Sequence, residues 1–379
     1  MTILRPAGDF DRSYQQDMAV IRQRWQGVLL LLFLLLLYAL PAIASDSTVS
    51  LVNRICIFII AVQGLNILTG YTGQISLGQA AFMTVGGYIS ALLVANLGWN
   101  FFLALPVAAL GAGLVGLIFG LPSLRVKGFY LAMATLSAQF IIPWVTRNLF
   151  PDVLNGAQGL NVPVPQIVIP VINGTCFLGT TFNPELNACV YRFATPAQFI
   201  YITLTVLIFT TIVALNISRS RLGRALISIR DNDLAAELLG INLFAYKLRA
   251  FFIAAVFAGL AGSLLAHNIR HINSQTLGLT DSILLLGMLV VGGLGTNLGP
   301  IFGAILITLL EELAVWVTPI IIGLINSGVL PLDATGVGAA LRPLTFGLAL
   351  ALFLIFEPRG LAYRWSLIKA AWRLRPFAR

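Results

Sequence analysis

Gly27 to Ala44 reads GVLLLLFLLLLYALPAIA, 18 residues without a single charge. About 20 consecutive apolar residues let an α-helix cross the hydrocarbon core of a bilayer, where no water satisfies the backbone and every N–H and C=O must pair within the segment. Working outward, the same pattern recurs to the C-terminal tail. Breaking the 379-residue chain at charged, Pro-rich and Gly-rich points gives ten candidate spans, at 26–44, 51–69, 76–95, 101–122, 128–149, 196–217, 250–268, 281–297, 300–322 and 340–357. Composition agrees: 58% of residues are hydrophobic and 10% charged, whereas a soluble domain averages about 25% charged. The expected fold class is an all-α polytopic membrane protein. Collagen, a disordered tail and a secreted disulfide scaffold are excluded.

The formal charge of +9 would suit a nucleic-acid binder, but the basic residues sit between apolar spans, where positive charge marks the cytoplasmic side. With the N-terminus inside, 18 of the 23 Lys and Arg residues fall on the cytoplasmic side, leaving Arg54, Arg147, Arg192, Arg270 and Arg342 outside. The positive-inside rule therefore predicts an N-in, C-in topology, with membrane lipid and not nucleic acid as the partner of the charge. Ala42-Ile43-Ala44 resembles a signal-peptidase site. However, the apolar run before it follows 26 mostly polar residues and exceeds the roughly 7–15 residues of a signal h-region, so it reads as a first span. The domain reading is a cytoplasmic segment at 1–25, a membrane domain at 26–357 and a basic cytoplasmic tail at 358–379.

Two hydrophilic stretches interrupt the membrane domain. The first, 150–195, is an outer loop in this topology and carries Cys176 and Cys189. In an oxidising compartment the two could pair and close a 14-residue loop, worth about 3 kcal/mol in the chain-entropy model; two free thiols are the other reading. Cys56 lies in a span and reads as packing. Three cysteines without metal-ligand spacing predict no metal site.

The second stretch, 218–249, is cytoplasmic and reads SRSRLGRALISIRDNDLAAELLGINLFAYKLR. A basic approach leads to Asp231 as the expected N-cap of a short amphipathic helix ending near Gly240. Asp231, Asp233 and Glu237 suit its first turns electrostatically, and Leu234, Leu238, Leu239 and Ile241 offer apolar contacts for lipid or a partner.

Between Asn66 and Gln79 two spans meet in a run holding Gly70, Gly73 and Gly78 together with Asn66, Thr69, Gln74, Ser76 and Gln79. Either this is a tight turn between helices, or a broken helix dips into the membrane and its amides and hydroxyls line a polar route. Gly292 to Pro300, with Gly293 and Gly295, admits the same two readings. Glu311 and Glu312 lie in an apolar run, and Pro319 suggests that their helix ends soon after Trp316. His267 and His271 are spaced to share a helix face, but no third ligand accompanies them. No Gly-x-x-x-x-Gly-Lys-[Ser/Thr] loop occurs, so the chain is expected to bind no nucleotide itself and energy must come from a partner or a gradient. No nucleophile, paired carboxylates or metal cluster marks an enzyme, and no catalytic residue is expected.

Ala235-Ala236-Glu237-x-x-Gly240 resembles the EAA-type loop of ABC importer permeases, whose coupling helix docks into a groove on an ATPase subunit. The order here is Ala-Ala-Glu rather than Glu-Ala-Ala, with Gly240 where the family's helix ends. Four stretches narrow the likeness: Gly64 through Phe82, Gly128-Phe129-Tyr130-Leu131-Ala132, Gly223-Arg224-Ala225-Leu226 through Tyr246-Lys247-Leu248, and Gly292 through Pro300 followed by Phe356-Glu357-Pro358-Arg359-Gly360-Leu361. In that order, over about 51 to 363, they resemble the longer, LivM-like permease of branched-chain amino acid ABC importers. Gln79 stands where the family often has His, and the 150–195 loop looks longer than usual; these departures concern the cargo, not the family.

The resemblance implies an ABC importer permease fold in a bacterial inner membrane. It implies as partners a second, LivH-like permease, two ATP-binding subunits carrying ATP and Mg, and a periplasmic binding protein. ATPase coupling would fall to Arg224, Asp231, Asp233, Ala235, Ala236, Glu237 and Gly240. The translocation path would be lined by Asn66, Thr69, Gly70, Gly73, Gln74, Ser76 and Gln79, with Gly293 and Gly295. A permease for urea or short amides, and a gradient-driven transporter, are the alternatives.

Overall fold

A computed structural model describes residues 24–121, 129–149, 151–170, 181–183, 188–326 and 334–374. Each of the ten expected apolar runs carries a helix. In chain order the α-helices of six or more residues are α1 (Arg24–Ile43), α2 (Asp46–Leu65), α3 (Gln79–Ala95), α4 (Phe101–Gly120), α5 (Phe129–Asn148), α6 (Pro196–Arg219), α7 (Arg221–Asp231), α8 (Asp233–Leu238), α9 (Leu243–Ile269), α10 (Leu279–Gly292), α11 (Gly299–Asn326), α12 (Ala334–Phe356) and α13 (Leu361–Leu374). Among the described residues five helices are long and apolar enough to cross a membrane, namely Asp46–Tyr71, Phe101–Gly120, Pro196–Arg219, Leu243–Ile269 and Gly299–Gly323. Three shorter apolar helices, Gly27–Ile43, Gln79–Ala95 and Leu279–Gly292, accompany them, and α12 and α13 form a pair bent by 45°.

Contacts divide the chain into a larger unit, 35–285, and a smaller one made of 1–34 and 286–379. At the centre of the larger unit stands α9, packed against α2, α3 and α4. The seam is built of small residues. A Cβ on Gly259 would come within 2.6 Å of Ala112, one on Gly113 within 2.7 Å of Phe252 and Val256, and one on Gly262 would collide with the Met83 backbone. Where lipid tails are as apolar as leucine, close backbone approach and dispersion take over from the hydrophobic effect as the force joining helices. Helix α6 packs on α2. Tyr38 stacks on Tyr201 with ring centroids 6.0 Å apart, its hydroxyl sits 2.9 Å from Thr205 Oγ1, and Cys56 is buried with Val49, Ile200 and Leu204. Thr195 and Gln198 form a reciprocal capping box at the start of α6, with Pro196 in its first turn.

The stretch expected as a loop contains short strands that an all-helical reading misses. Strand β1 (Leu160–Asn161) pairs with β5 (His271–Ile272), and β2 (Gln166–Pro170), β4 (Ala188–Arg192) and β3 (Thr181–Asn183) form an antiparallel sheet in the order β2-β4-β3. Ile167-Val168-Ile169 supplies the β-branched residues that favour an extended chain. Nor do His267 and His271 share a helix face: α9 ends at Ile269 and Arg270 turns left-handed at φ +63°. His267 is buried, with Nε2 3.0 Å from Ser90 Oγ and Nδ1 3.0 Å from the Pro163 carbonyl, whereas His271 Nδ1 faces Asn161 Oδ1 at 3.3 Å.

In the smaller unit α11 packs on α12. It does not stop after Trp316 but runs through Pro319 to Asn326. An interior proline is tolerated in membrane helices, where neighbouring groups satisfy the freed carbonyl. Glu311 and Glu312 therefore lie mid-helix and half-buried. The link between α10 and α11 is a tight turn, with Gly293 at φ +116° and Gly295 at φ +70°. Thr296 Oγ1 donates to the Gly293 carbonyl at 2.8 Å and accepts from Gly299 N at 3.0 Å. Gly360 approaches so closely that a Cβ there would meet Gly293 Cα at 2.5 Å.

Candidate functional site

The site grows from the way α2 ends. Past Leu65 the helix widens into a π-helical turn, Asn66–Tyr71, and after Thr72 the chain leaves helical form until Gln79. Glycine makes the exit feasible: Gly73 sits at φ +72°, a conformation that side-chain-bearing residues rarely adopt. A helix end leaves carbonyls without intrahelical partners, and here local groups serve them. Thr72 Oγ1 donates to the Ile67 carbonyl at 3.0 Å, Gln74 N to Leu68 O at 3.3 Å and Gly73 N to Thr69 O at 3.2 Å. Thr69 Oγ1 crosses the gap to the Gln74 carbonyl at 3.1 Å.

The returning chain climbs back beside the helix it has just left. Gln79 Nε2 donates to Ala61 O at 3.0 Å and to Ala254 O at 3.3 Å, and Gln79 is fully buried. Ala61 lies ten residues before Tyr71, so the non-helical residues 73–78 return the chain to where the Gln79 side chain reaches back up the helix it left. Further ties fix this strap. Leu77 N donates to Thr135 Oγ1 at 3.0 Å, a Cβ on Gly78 would meet the Thr135 carbonyl at 2.6 Å, and Ala80 N donates to Ser282 Oγ at 3.0 Å. The stretch thus holds a π-helical helix end, a short non-helical segment and a new helix that begins at Gln79. Asn66, Thr69, Gln74, Ser76 and Gln79 are all buried within the chain, and the side chains of Thr69 and Gln79 bond backbone carbonyls.

The 218–249 segment lies against the open end of this break, and it is more helical than its sequence suggests. Ser220 caps α7 by accepting from Gly223 N at 3.3 Å, and Ala225, Leu226 and Ile229 bury one face. Asp231 is therefore the last residue of α7 and not an N-cap. Asn232 caps α8, its Oδ1 accepting from Ala235 N at 3.1 Å. Extended backbone at Asn232 is what frees its side chain to cap, whereas Asp231 is still helical and is drawn to its neighbour Arg230. Asp233, Ala235, Ala236 and Glu237 lie on α8, and only Ala236 is buried. Gly240 follows at φ +82° with open space around its Cα. Leu234, Leu238 and Leu239 are 67%, 83% and 80% exposed in the isolated chain. Arg224 on α7 donates to the Arg219 carbonyl at 2.8 Å.

One residue outside the sequence-based site joins the two parts. Arg230 Nη1 donates to the Gly70 carbonyl at 2.9 Å, while Nε and Nη2 hold Asp231 Oδ1 at 3.0 and 2.9 Å. Its stem crosses Gly73, whose missing Cβ would come within 2.9 Å of Arg230 Cγ. A cavity of about 370 Å³ opens beside this contact, walled by Thr72, Gln74, Leu131, Asp233 and Lys247 among others. No local pattern announces a bond between residues 160 apart. The available signal was the spacing from Leu226 to Arg230, which sets the guanidinium at the edge of the buried face of α7.

Gly293 and Gly295 belong to the smaller unit and form the turn described above. Cys189 lies in β4, while Cys176 and residues 1–23 are outside the described residues. Among the described residues no group of three His, Cys, Asp or Glu side chains could hold a metal ion.

Several long apolar helices, one of them bonded at its end to a charged amphipathic segment, mark a multi-pass membrane protein. A family model described as the permease component of the branched-chain amino acid transport system matches residues 47–355, and the chain belongs to that family as an ABC-type permease. It is 32% identical over 296 residues to the high-affinity branched-chain amino acid transport system permease protein LivM of Escherichia coli strain K12, covering 76% of this chain and 68% of that protein. The LivM protein of Salmonella typhimurium is 30% identical over 295 residues, with the same coverage. More distant is the autoinducer 2 import system permease protein LsrC of Yersinia enterocolitica, 30% identical over 244 residues, covering 58% of this chain and 66% of that protein.

Proposed function

We propose that this chain is one half of an ATP-driven importer in a bacterial inner membrane, passing branched-chain or other neutral amino acids from a periplasmic binding protein into the cell. A second, LivH-like permease completes the pore, and two ATPase subunits carry ATP and Mg. The chain crosses the membrane ten times with both termini inside, its 150–195 segment outside and its 218–249 segment inside. Arg224, Asp231, Asp233, Ala235, Ala236, Glu237 and Gly240 form the ATPase-facing surface. Asn66, Thr69, Gly70, Gly73, Gln74, Ser76 and Gln79, with Gly293 and Gly295, flank the path of the cargo.

The observation that carries this reading is the bond between a charged amphipathic segment and the end of an apolar helix: a gate in an ABC permease must be reached from the side where ATP is hydrolysed. Exposed Leu234, Leu238 and Leu239 beside Glu237 give that segment a surface suited to a protein groove. The LsrC relative, named for another cargo, supports leaving much of the cargo choice to the binding protein.

The test is uptake into proteoliposomes holding this chain, its partner permease, both ATPases and the binding protein, with labelled leucine and labelled urea offered separately. Leucine uptake that disappears without ATP is expected. Urea uptake alone would keep the mechanism and change the cargo, and uptake by this chain without ATPases would overturn the assignment in favour of a gradient-driven carrier.

A further inference from the structure

Arg230 lies outside the helix α8 that would meet an ATPase, yet its side chain makes a contact that reaches from this segment into the membrane-embedded core. Three facts converge on it. The Gly70 carbonyl belongs to the last turn of a helix that stops short, so it is one of the acceptors that a helix end leaves without a partner, and a guanidinium there also complements the negative end of the helix dipole. Asp231 fixes the guanidinium from the other side through Nε and Nη2, so the fork is spread between a side chain on α7 and a backbone atom of the break. Gly73, at φ +72°, lets the Arg230 stem pass directly over the point where the chain reverses, where any larger residue would collide with Arg230 Cγ.

We infer that Arg230 is the positioning residue that ties the helix end at Gly70 to the coupling segment: movement of α7 and α8 pulls on the Gly70 carbonyl and thereby resets the non-helical strap of residues 73–78. A cavity of about 370 Å³ opens beside the contact, walled on the α7 side by Ile229, Arg230 and Asp231. Lysine cannot replace arginine here, because a single ammonium on a flexible stem cannot hold the carbonyl and Asp231 Oδ1 in the same fork. Asp231, expected as a helix cap, instead aims the guanidinium.

This inference rests on the proposed ATP-driven function for its consequence but not for its geometry, so two measurements separate them. The first needs no ATPase: hydrogen–deuterium exchange of the full chain in nanodiscs, wild type against R230Q and R230K. Amides of residues 70–78 should exchange about tenfold faster in R230Q, the scale set by losing a charge-assisted hydrogen bond, with α9 unchanged. Equal exchange in that strap, or faster exchange spread through α9, would overturn the tie. The second uses the complete complex in proteoliposomes and reads the ratio of cargo imported to ATP hydrolysed. R230Q and R230K should assemble and hydrolyse ATP under binding-protein stimulation within about twofold of wild type, while uptake falls about tenfold, as expected when a charge-assisted bond of this size is lost. Uptake and hydrolysis falling together, or an unchanged ratio, would reduce Arg230 to a structural role. A wild-type complex without ATP-dependent uptake would instead defeat the proposed function, and the exchange result would still decide the tie.

Discussion

Gln79 shows how a polar side chain earns a place in an apolar core. It is fully buried, and its amide bridges Ala61 O on the outgoing helix and Ala254 O on α9, two carbonyls that water cannot reach. Truncating this fully buried side chain forfeits the bonds to both carbonyls and leaves a cavity, a loss of about 1–3 kcal/mol. Gln79→Ala is therefore expected to lower the melting temperature of the detergent-solubilised chain by several degrees. An unchanged melting curve would mean that the bridge contributes nothing to stability. The sequence placed Gln79 at the right junction but offered a choice between a polar route and a turn. The hydrogen bonds to Ala61 and Ala254 make it a clamp between α2 and α9.

At the scale of elements, the seam around α9 depends on residues too small to separate the backbones. Gly262 faces the Met83 carbonyl with no space for a Cβ, whereas Gly323 on α11 has nothing within 4 Å of where a Cβ would stand. Gly262→Leu should prevent α9 from packing on α3 and yield aggregated protein on size exclusion. Gly323→Ala should stay monodisperse and keep or slightly raise its melting temperature, since alanine favours helix over glycine by about 1 kcal/mol. A monodisperse Gly262→Leu variant would show that the seam can open without loss of the fold. Helices were legible as apolar runs, because their period and length are local properties. Their ends were less so: α11 continues past Pro319 and α7 extends through Asp231, since neighbouring contacts decide where a helix stops.

For the whole molecule, the distribution of positive charge makes a claim of its own. If 18 of 23 basic residues are inside, the 150–195 segment must face outward and the tail inward. With Cys56, Cys176 and Cys189 changed to serine, Gln158→Cys should react with a membrane-impermeant maleimide in intact cells. Ala371→Cys should react only after lysis. The reverse pattern would invert the topology, and labelling of both would remove the N-in, C-in arrangement.

The sequence by itself determined the class: apolar runs of the right length, few charges, and a set of glycine and coupling-loop motifs that point to an ABC permease, all carried by residues near one another in the chain. Tertiary structure decided how the parts are joined. That Gln79 clamps the helix before it to α9 and that Arg230 reaches Gly70 depend on groups brought together from distant positions, and the cap of α8 at Asn232 rather than Asp231 depends on where α7 ends. Hydrogen bonds between residues 18, 160 or 175 positions apart leave no periodic trace in composition or spacing. They exist only once the helices have packed.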